Sequence, residues 1–405
     1  MARWGFVTLF GLVLCGSTLG QTDANADDYK ILGPEGFATI PFEIFRDDIV
    51  LIADINGQKL RLAFDNGVLW DQLLLYGSER VDALKLRYDD QIEIGGAGED
   101  KPMLANMASS VTVRLPGVEL RNQPVIVTPA DSRATKTFDG EDGIISGSLW
   151  KHFVVDIDFD KQIITLARPA DAERLKVGQA LALRRVGTDS YAIPCMVHLM
   201  DGEGVAVDIA IDLAGNLPMT LFTDRPKPVA VPPHAFPMRL GIGAQGDIQG
   251  HLGRIRTIQI GKYELPDVLS GFTEGRGLYG GETVGDIGLP LISHFNVTFD
   301  YFNSTLYLRP NRSFDKPFEY DMSGLEMRRT KDGDLSIVTV LSNSPASDSG
   351  LTTDDVVVEI DGRSVREAKR WEFESLFLQA GKTISVTVER DGKRREVKLK
   401  LRRVI

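Results

Sequence analysis

The stretch KHFVVDIDFDKQIITLARP, residues 151–169, recurs as SHFNVTFDYFNSTLYLRPN, residues 293–311. His152 matches His294, Phe153 matches Phe295, Val155 matches Val297, Asp158 matches Asp300 and Leu166 matches Leu308, every pair 142 positions apart. One constant offset over the whole stretch marks an internal duplication, which has to be recognised before any local reading. Both copies alternate apolar and polar residues about a polar turn, the pattern of two strands joined tightly.

Working outward, DGIISGSLW precedes the first copy and VGDIGLPLI the second, apolar runs broken at Gly147 and Gly288. Further upstream, VTVRLPGVELRNQPVIV faces RTIQIGKYELPDVLSGF, both strand–turn–strand patterns, and before those lie the Gly-rich IGGAGED and GIGAQGDIQG. The earliest matching pair carries acids. LRLAFDNG places Asp65 after an alternating apolar strand and before Asn66-Gly67, and GVAVDIAIDLAGN places Asp212 after such a strand and before Leu213-Ala214-Gly215. A hairpin turn precedes each strand, Asn56-Gly57 in one copy and Asp201-Gly202 in the other. Taken alone, Asp65 reads as an Asp-Asn-Gly turn former, and Asp208 is a second acid on the strand of Asp212. The chain is expected to be mainly β, with duplicated units over residues 37–170 and 178–310.

The pattern changes after Arg309. RPNRSFDKPFEYDMSG is polar and Pro-bearing, a linker expected over 311–322. Residues 323–405 contain SNSPASDSGL, DDVVVEIDG, a helical stretch SVREAKRWEFESLFLQAG, and a hairpin turned at Asp391-Gly392. In the helical stretch Val365, Ala368, Trp371, Phe373, Leu376 and Phe377 recur at three- and four-residue spacing, an amphipathic face. This is a third domain of α+β type.

The 405 residues exceed one ordinary core, and the net charge of −11 leaves no basic excess to neutralise phosphates, arguing against a general nucleic-acid binder. Residues 1–26 read as a signal peptide and disordered start: Arg3, the apolar WGFVTLFGLVLCG, then small residues, with cleavage after Gly20 or Ala26. That predicts a periplasmic or secreted protein without an integral membrane segment once the signal is removed. Leu14 is bulkier than the small residue expected before a lipidated cysteine, so anchoring at Cys15 is not expected. Cys195, in the apolar run YAIPCMVHL, reads as a buried structural thiol.

Two β lobes, each giving one Asp after an apolar strand and later an apolar-apolar-Gly segment, resemble aspartic peptidases. The resemblance is nearest to retropepsin-like bacterial members that carry two lobes in one polypeptide, and it spans Phe37 to about Pro310. It implies two tandem pepsin/retropepsin-like β-barrel lobes with Asp65 and Asp212 as the catalytic pair. Asn66, Gly67, Leu213, Ala214 and Gly215 would form the active-site loops, where the family uses Asp-Thr/Ser-Gly. Gly95, Gly96, Gly98, Gly241, Gly243 and Gly246 would belong to flap-like covers over a cleft for an extended polypeptide. Residues 323–405 resemble a PDZ domain of the bacterial strand order, with Gly324, Leu325, Glu326 and Met327 at the peptide-binding strand.

Paired carboxylates suit this chemistry because two held close together cannot both ionise, so one retains a proton while the other activates water. The implied function is an exported aspartic endopeptidase-like protein whose PDZ domain recognises substrate or partner. Its alternative is an inactive peptide-binding or adaptor protein using the same cleft and groove. No cofactor or metal is expected. GIGAQG, residues 241–246, matches a dinucleotide fingerprint, but β-like sequence follows it where a helix is required. DIDFDK lacks the Gly and Glu of a calcium loop, and the five histidines show no ligand spacing.

Overall fold

The duplication is realised strand for strand in the computed structural model. It describes residues 13–15, 26–67, 69–95, 101–138, 140–188, 190–226, 229–243, 246–276, 278–330, 332–367 and 371–405. Across the first lobe the strands run Asp48–Ile55, Gln58–Phe64, Gly143–Ile145, Leu73–Tyr76, Val118–Thr128, Met103–Leu115 and Tyr88–Gly95. Across the second they run Ser190–His198, Val205–Asp212, Gly285–Gly288, Met219–Phe222, Tyr263–Thr273, Gly246–Ile260 and Phe236–Gly243. The order is the same, and each sheet curls back on its first strand, with Asp54 opposite Arg114 and Met196 opposite Gln259. Barrel-like closure of this kind leaves few exposed edges.

The interposed short strands set the acids in place. Gly143–Ile145 and Gly285–Gly288 each lie parallel to the acid-bearing strand and antiparallel to the strand that follows it in sequence. The backbone after each Asp therefore has to loop around an intervening strand instead of turning back as a hairpin. Gly147 and Gly288 lie against those loops: a Cβ on Gly147 would come within 2.1 Å of the Trp70 carbonyl, and one on Gly288 within 2.1 Å of the Leu217 carbonyl.

The repeated stretch forms the sheet that joins the lobes, in the order Phe37–Pro41, Ile163–Ala167, Val154–Asp158, Phe295–Asp300, Thr305–Pro310, Gln179–Ala182. At its centre Val155 pairs with Phe299, Asp156 with Thr298 and Ile157 with Val297. Asp156 and Thr298 are also repeat-mates, so the pseudo-twofold axis passes through that pair. Asp156 accepts from the Thr298 hydroxyl at 2.6 Å and from Arg309 at 2.6 Å. Asp158 and Asp160 pair separately, with Lys161 and Arg312. The three acids of DIDFDK thus each hold their own cation on a strand and its turn.

One apolar core runs through both lobes, and Trp150 is fully buried in it, stacked on Phe64 at 4.4 Å and edge-on to Phe299 at 5.1 Å. The core continues past the duplicated units. Phe318 and Tyr320 are buried within it and Phe314 packs against it, so the stretch expected as a linker is fastened to the lobes. The polar composition of 311–322 hid three aromatics that have a face to cover.

The C-terminal domain has a separate core and a sheet ordered Leu325–Arg329, Leu335–Val340, Val356–Ile360, Thr383–Arg390, Lys393–Lys400. Fully buried Asp355 is held by Arg390 at 2.6 and 2.7 Å, which explains an acid inside the apolar DDVVVEIDG. The expected helix is shorter than its periodicity: Arg363–Ser364 is a strand and Val365 N–H donates to the Val358 carbonyl. Among the described residues helix spans Trp371–Glu374 and continues as a 3-10 turn through Ser375–Leu378, burying Phe373 and Phe377. Tertiary hydrogen bonds outweigh helical spacing at the start of that stretch.

Candidate active site

Asp65 and Asp212 emerge from the ends of equivalent strands and meet where the two loops touch. Each carboxylate first organises its own loop: Gly67 N–H donates to Asp65 Oδ1 at 2.8 Å, and Ala214 N–H donates to Asp212 Oδ1 at 2.9 Å. The two bonds are the same bond under the pseudo-twofold. The Asp212 carboxyl lies against the Asp65 loop and within reach of Asp65, whose pKa it lowers. Gly67 is glycine because of proximity, since a Cβ there would sit 2.6 Å from Asp212 Oδ1. Its φ is unremarkable, and so is that of Ala214, which is why alanine is tolerated at the second copy.

Among the described residues three hydrogen bonds tie the acid loop of the first lobe to the second unit, in place of the paired hydroxyls of the aspartic-peptidase pattern. Asn66 Oδ1 accepts the Leu213 N–H at 2.8 Å, so Leu213 joins through its backbone although its side chain offers no hydroxyl. The Asn66 amide also donates to the Tyr301 hydroxyl at 3.0 Å. From the other lobe, the Ser190 hydroxyl donates to the Gly67 carbonyl at 2.6 Å. Asn66 is 2% exposed and Ser190 5%, so these bonds are shielded from competing water.

The electrostatics are those of a carboxyl pair withdrawn from solvent. Burial pushes Asp65 up to about 6, with the N–H donors of its loop pulling the other way. Asp212 is held well above the usual carboxylate range, first by burial and then by the charges of Asp65 and Asp286. Asp65 is 6% exposed and Asp212 0%. The Tyr279 hydroxyl donates to Asp212 Oδ2 at 3.2 Å. Both carboxyls are thus raised by burial, and the neighbouring charges add to the rise at Asp212.

Around the pair, Gly215 closes the second loop by donating its N–H to the Asp212 carbonyl at 3.0 Å. The first-lobe hairpin lies over the loops, since Ile94 and Ala105 share a buried cluster with Leu74, Ile144 and Ala214. Gly95 ends one strand of that hairpin, while Gly96 and Gly98 fall outside the described residues. Gly241, Gly243 and Gly246 stand at the tip of the second-lobe hairpin, whose second strand continues to Ile260 where a nucleotide fold would need a helix. Gly324–Met327 lie apart from the acids, in the C-terminal domain. Cys195 is buried, and burial holds its thiol above its usual range.

Four participants escaped sequence reasoning: Ser190, Tyr279, Asp286 and Tyr301. Asp286 had a signal, because VGDIGLPLI puts an acid where the first copy, DGIISGSLW, has isoleucine. Tyr301 matches Phe159 in the repeat, a hydroxyl gained on one side only.

The strand order, duplicated acids and interposed short strands define two equivalent barrel-like β lobes followed by a third domain. Residues 322–401 match the family model of the PDZ domain. Among solved structures, the protein is similar to the aspartic proteinase from Irpex lacteus, at 12% identity and TM-score 0.46, with 69% of this sequence and 98% of that one covered. It is also similar to a photosystem II D1 C-terminal processing protease, at 23% identity and TM-score 0.19, with 20% of this sequence and 23% of that one covered. The match spans less than a quarter of that protease, and the fold assignment rests on topology. No curated protein sequence matches this one.

Proposed function

We propose that the two lobes constitute an aspartic-type endopeptidase acting on extended polypeptide, exported to the periplasm or cell exterior, with the PDZ domain as an accessory unit. The observation that carries the reading is the juxtaposition of Asp65 and Asp212 on equivalent loops, each braced by the N–H two residues on. In this reading Asp65 takes the proton of the attacking water and Asp212 polarises the scissile carbonyl. The Tyr279 hydroxyl holds the orientation of Asp212. Export rests on the N-terminal sequence, most of which lies outside the described residues.

The test follows cleavage of a reduced, unfolded protein from pH 4 to 9 by the full-length protein and by Asp65→Asn and Asp212→Asn. Activity is expected to rise as Asp65 ionises near pH 6 and to fall once Asp212 ionises, with each substitution costing about 10²–10⁴-fold. Cleavage that survives either substitution would remove the pair from the mechanism. A second reading, a peptide-holding protein without turnover, is favoured by the complete burial of Asp212. It predicts no cleavage at any pH with retention of the unfolded substrate.

A further inference from the structure

A PDZ loop that receives the end of a polypeptide has to offer unpaired backbone N–H groups to the terminal carboxylate. Here the N–H groups of Met322 to Leu325 are already used, including those of Gly324 and Leu325 from the expected binding residues. Met322 N–H donates to the Phe377 carbonyl at 2.9 Å, and Ser323 and Gly324 N–H donate to Asp321 Oδ1 at 2.8 and 3.1 Å. Leu325 N–H donates to the Ser323 hydroxyl oxygen at 3.1 Å, and that hydroxyl itself donates to Asp321. Asp321 is 2% exposed. A carboxylate of the protein itself occupies the loop, and a second one brought to the same N–H groups would meet like charge in a poorly solvated place.

The domain instead engages a partner through the other face of its first strand. Leu325 and Met327 point into its core, so Glu326 and Arg328 face outward by alternation. Glu326 meets Arg239 of the second-lobe hairpin at 3.4 Å, both side chains under 10% exposed, and accepts from Thr339 at 3.0 Å. Arg239 also meets Asp247 at 3.3 Å, and Asp247 meets Arg328 at 3.7 Å. Charges alternate from domain to hairpin and back again. Beside this contact lies a cavity of about 760 Å³, walled by Phe222, Met238, Ile248 and Leu278 of the lobe and by Glu326 and Thr339 of the PDZ domain.

We infer that this PDZ domain is not a receptor for free polypeptide C-termini, and that the partner of its outward strand face is the second-lobe hairpin of the same molecule. Buried Glu326 and Arg239 make the contact selective, because removing either charge leaves the other desolvated. The domain fixes the hairpin that borders the cavity. None of this requires the lobes to hydrolyse anything, so it stands or falls separately from the proposed activity.

Amide hydrogen exchange on the full-length protein tests the contact. Glu326→Gln is expected to raise exchange in Phe236–Gly243 and Gly246–Ile260 by about tenfold or more, with Thr383–Arg390 unchanged. Unchanged hairpin exchange would overturn the inference. Should Thr383–Arg390 also lose protection, the paired change Arg239→Met with Glu326→Met decides. Hairpin protection recovering beyond the single variant supports the contact, and no recovery refutes it. For the loop, random hexapeptides with free carboxyl ends and the same peptides amidated are passed over the immobilised protein. Equal retention, including none, is expected, and a tenfold preference for the free acid would overturn the claim.

Discussion

Ile144 and Asp286 hold the same place in the two lobes, and around them the lobes part ways. Ile144 pairs with Ala63 and Leu74, and Asp286 pairs with Ala210 and Thr220. In the first lobe this wall is apolar and packs under the hairpin with Tyr76 and Ile126. In the second it is polar: Asp286 is 1% exposed, its Oδ2 meets no hydrogen-bond donor among the described residues, and burial pushes it up to about 8. The two halves share their strand order, and the second alone sets a third carboxyl beside Asp212 at this place. The consequence is electrostatic asymmetry: Asp212 is raised first by burial, then by the charges of Asp65 and Asp286, while Asp286 has no counterpart beside Asp65.

The sharpest way to break this comparison exchanges the small residues of the acid loops. Gly67→Ala puts a methyl within 2.6 Å of Asp212 Oδ1 and is expected to lower cleavage about 10²-fold by displacing the pair. The mirror change Ala214→Gly should move cleavage less than about threefold, because Ala214 has an ordinary backbone conformation. Equal effects from the two would mean that the loops are interchangeable after all.

Next comes the tie between lobes. Asn66→Ala removes the acceptor of the buried Leu213 N–H and the donor to Tyr301, and should destabilise the fold by about 1–3 kcal/mol in denaturant unfolding. Ser190→Ala removes one bond and should cost about 1 kcal/mol. A larger loss from Ser190 would shift the main brace to the second lobe.

The effect of Asp286 shows only in pH dependence. Folded Asp286 holds its proton to about pH 8, while in the unfolded state it ionises near 4, so the unfolded state releases its proton first as pH rises. The associated stability is present at acid pH and lost as pH climbs toward 8. Asp65 contributes in the same direction up to about pH 6. Asp286→Asn should therefore flatten the decline of Tm between pH 5 and 8 by about one proton's worth of slope. An unaltered slope would place its titration elsewhere.

Much of the fold was legible because the duplication is a sequence fact. The 142-residue offset announced two equivalent β units, and equivalence singled out Asp212 once Asp65 was noticed. The second acid motif was misleading by contrast. Leu213 looks like the loss of a cross-lobe hydroxyl, yet the bond is made by its N–H to Asn66. Side-chain identity at one position cannot report that a backbone group has been recruited by a residue 147 positions away. The linker was illegible for a related reason: Phe314, Phe318 and Tyr320 are spaced among polar residues, and only the lobes' surface gives them a site.

By itself the sequence determined the β character, the repeat, the two acids and the separate C-terminal domain, since periodicity and duplication are properties of the sequence alone. The tertiary structure decided which groups meet. It set Asp286 and Tyr279 beside Asp212, joined Asn66 to Leu213, and brought the Ser323 and Gly324 N–H groups to Asp321. Those contacts depend on strand order and on burial in a shared interior, where the absence of water makes each hydrogen bond and each charge count.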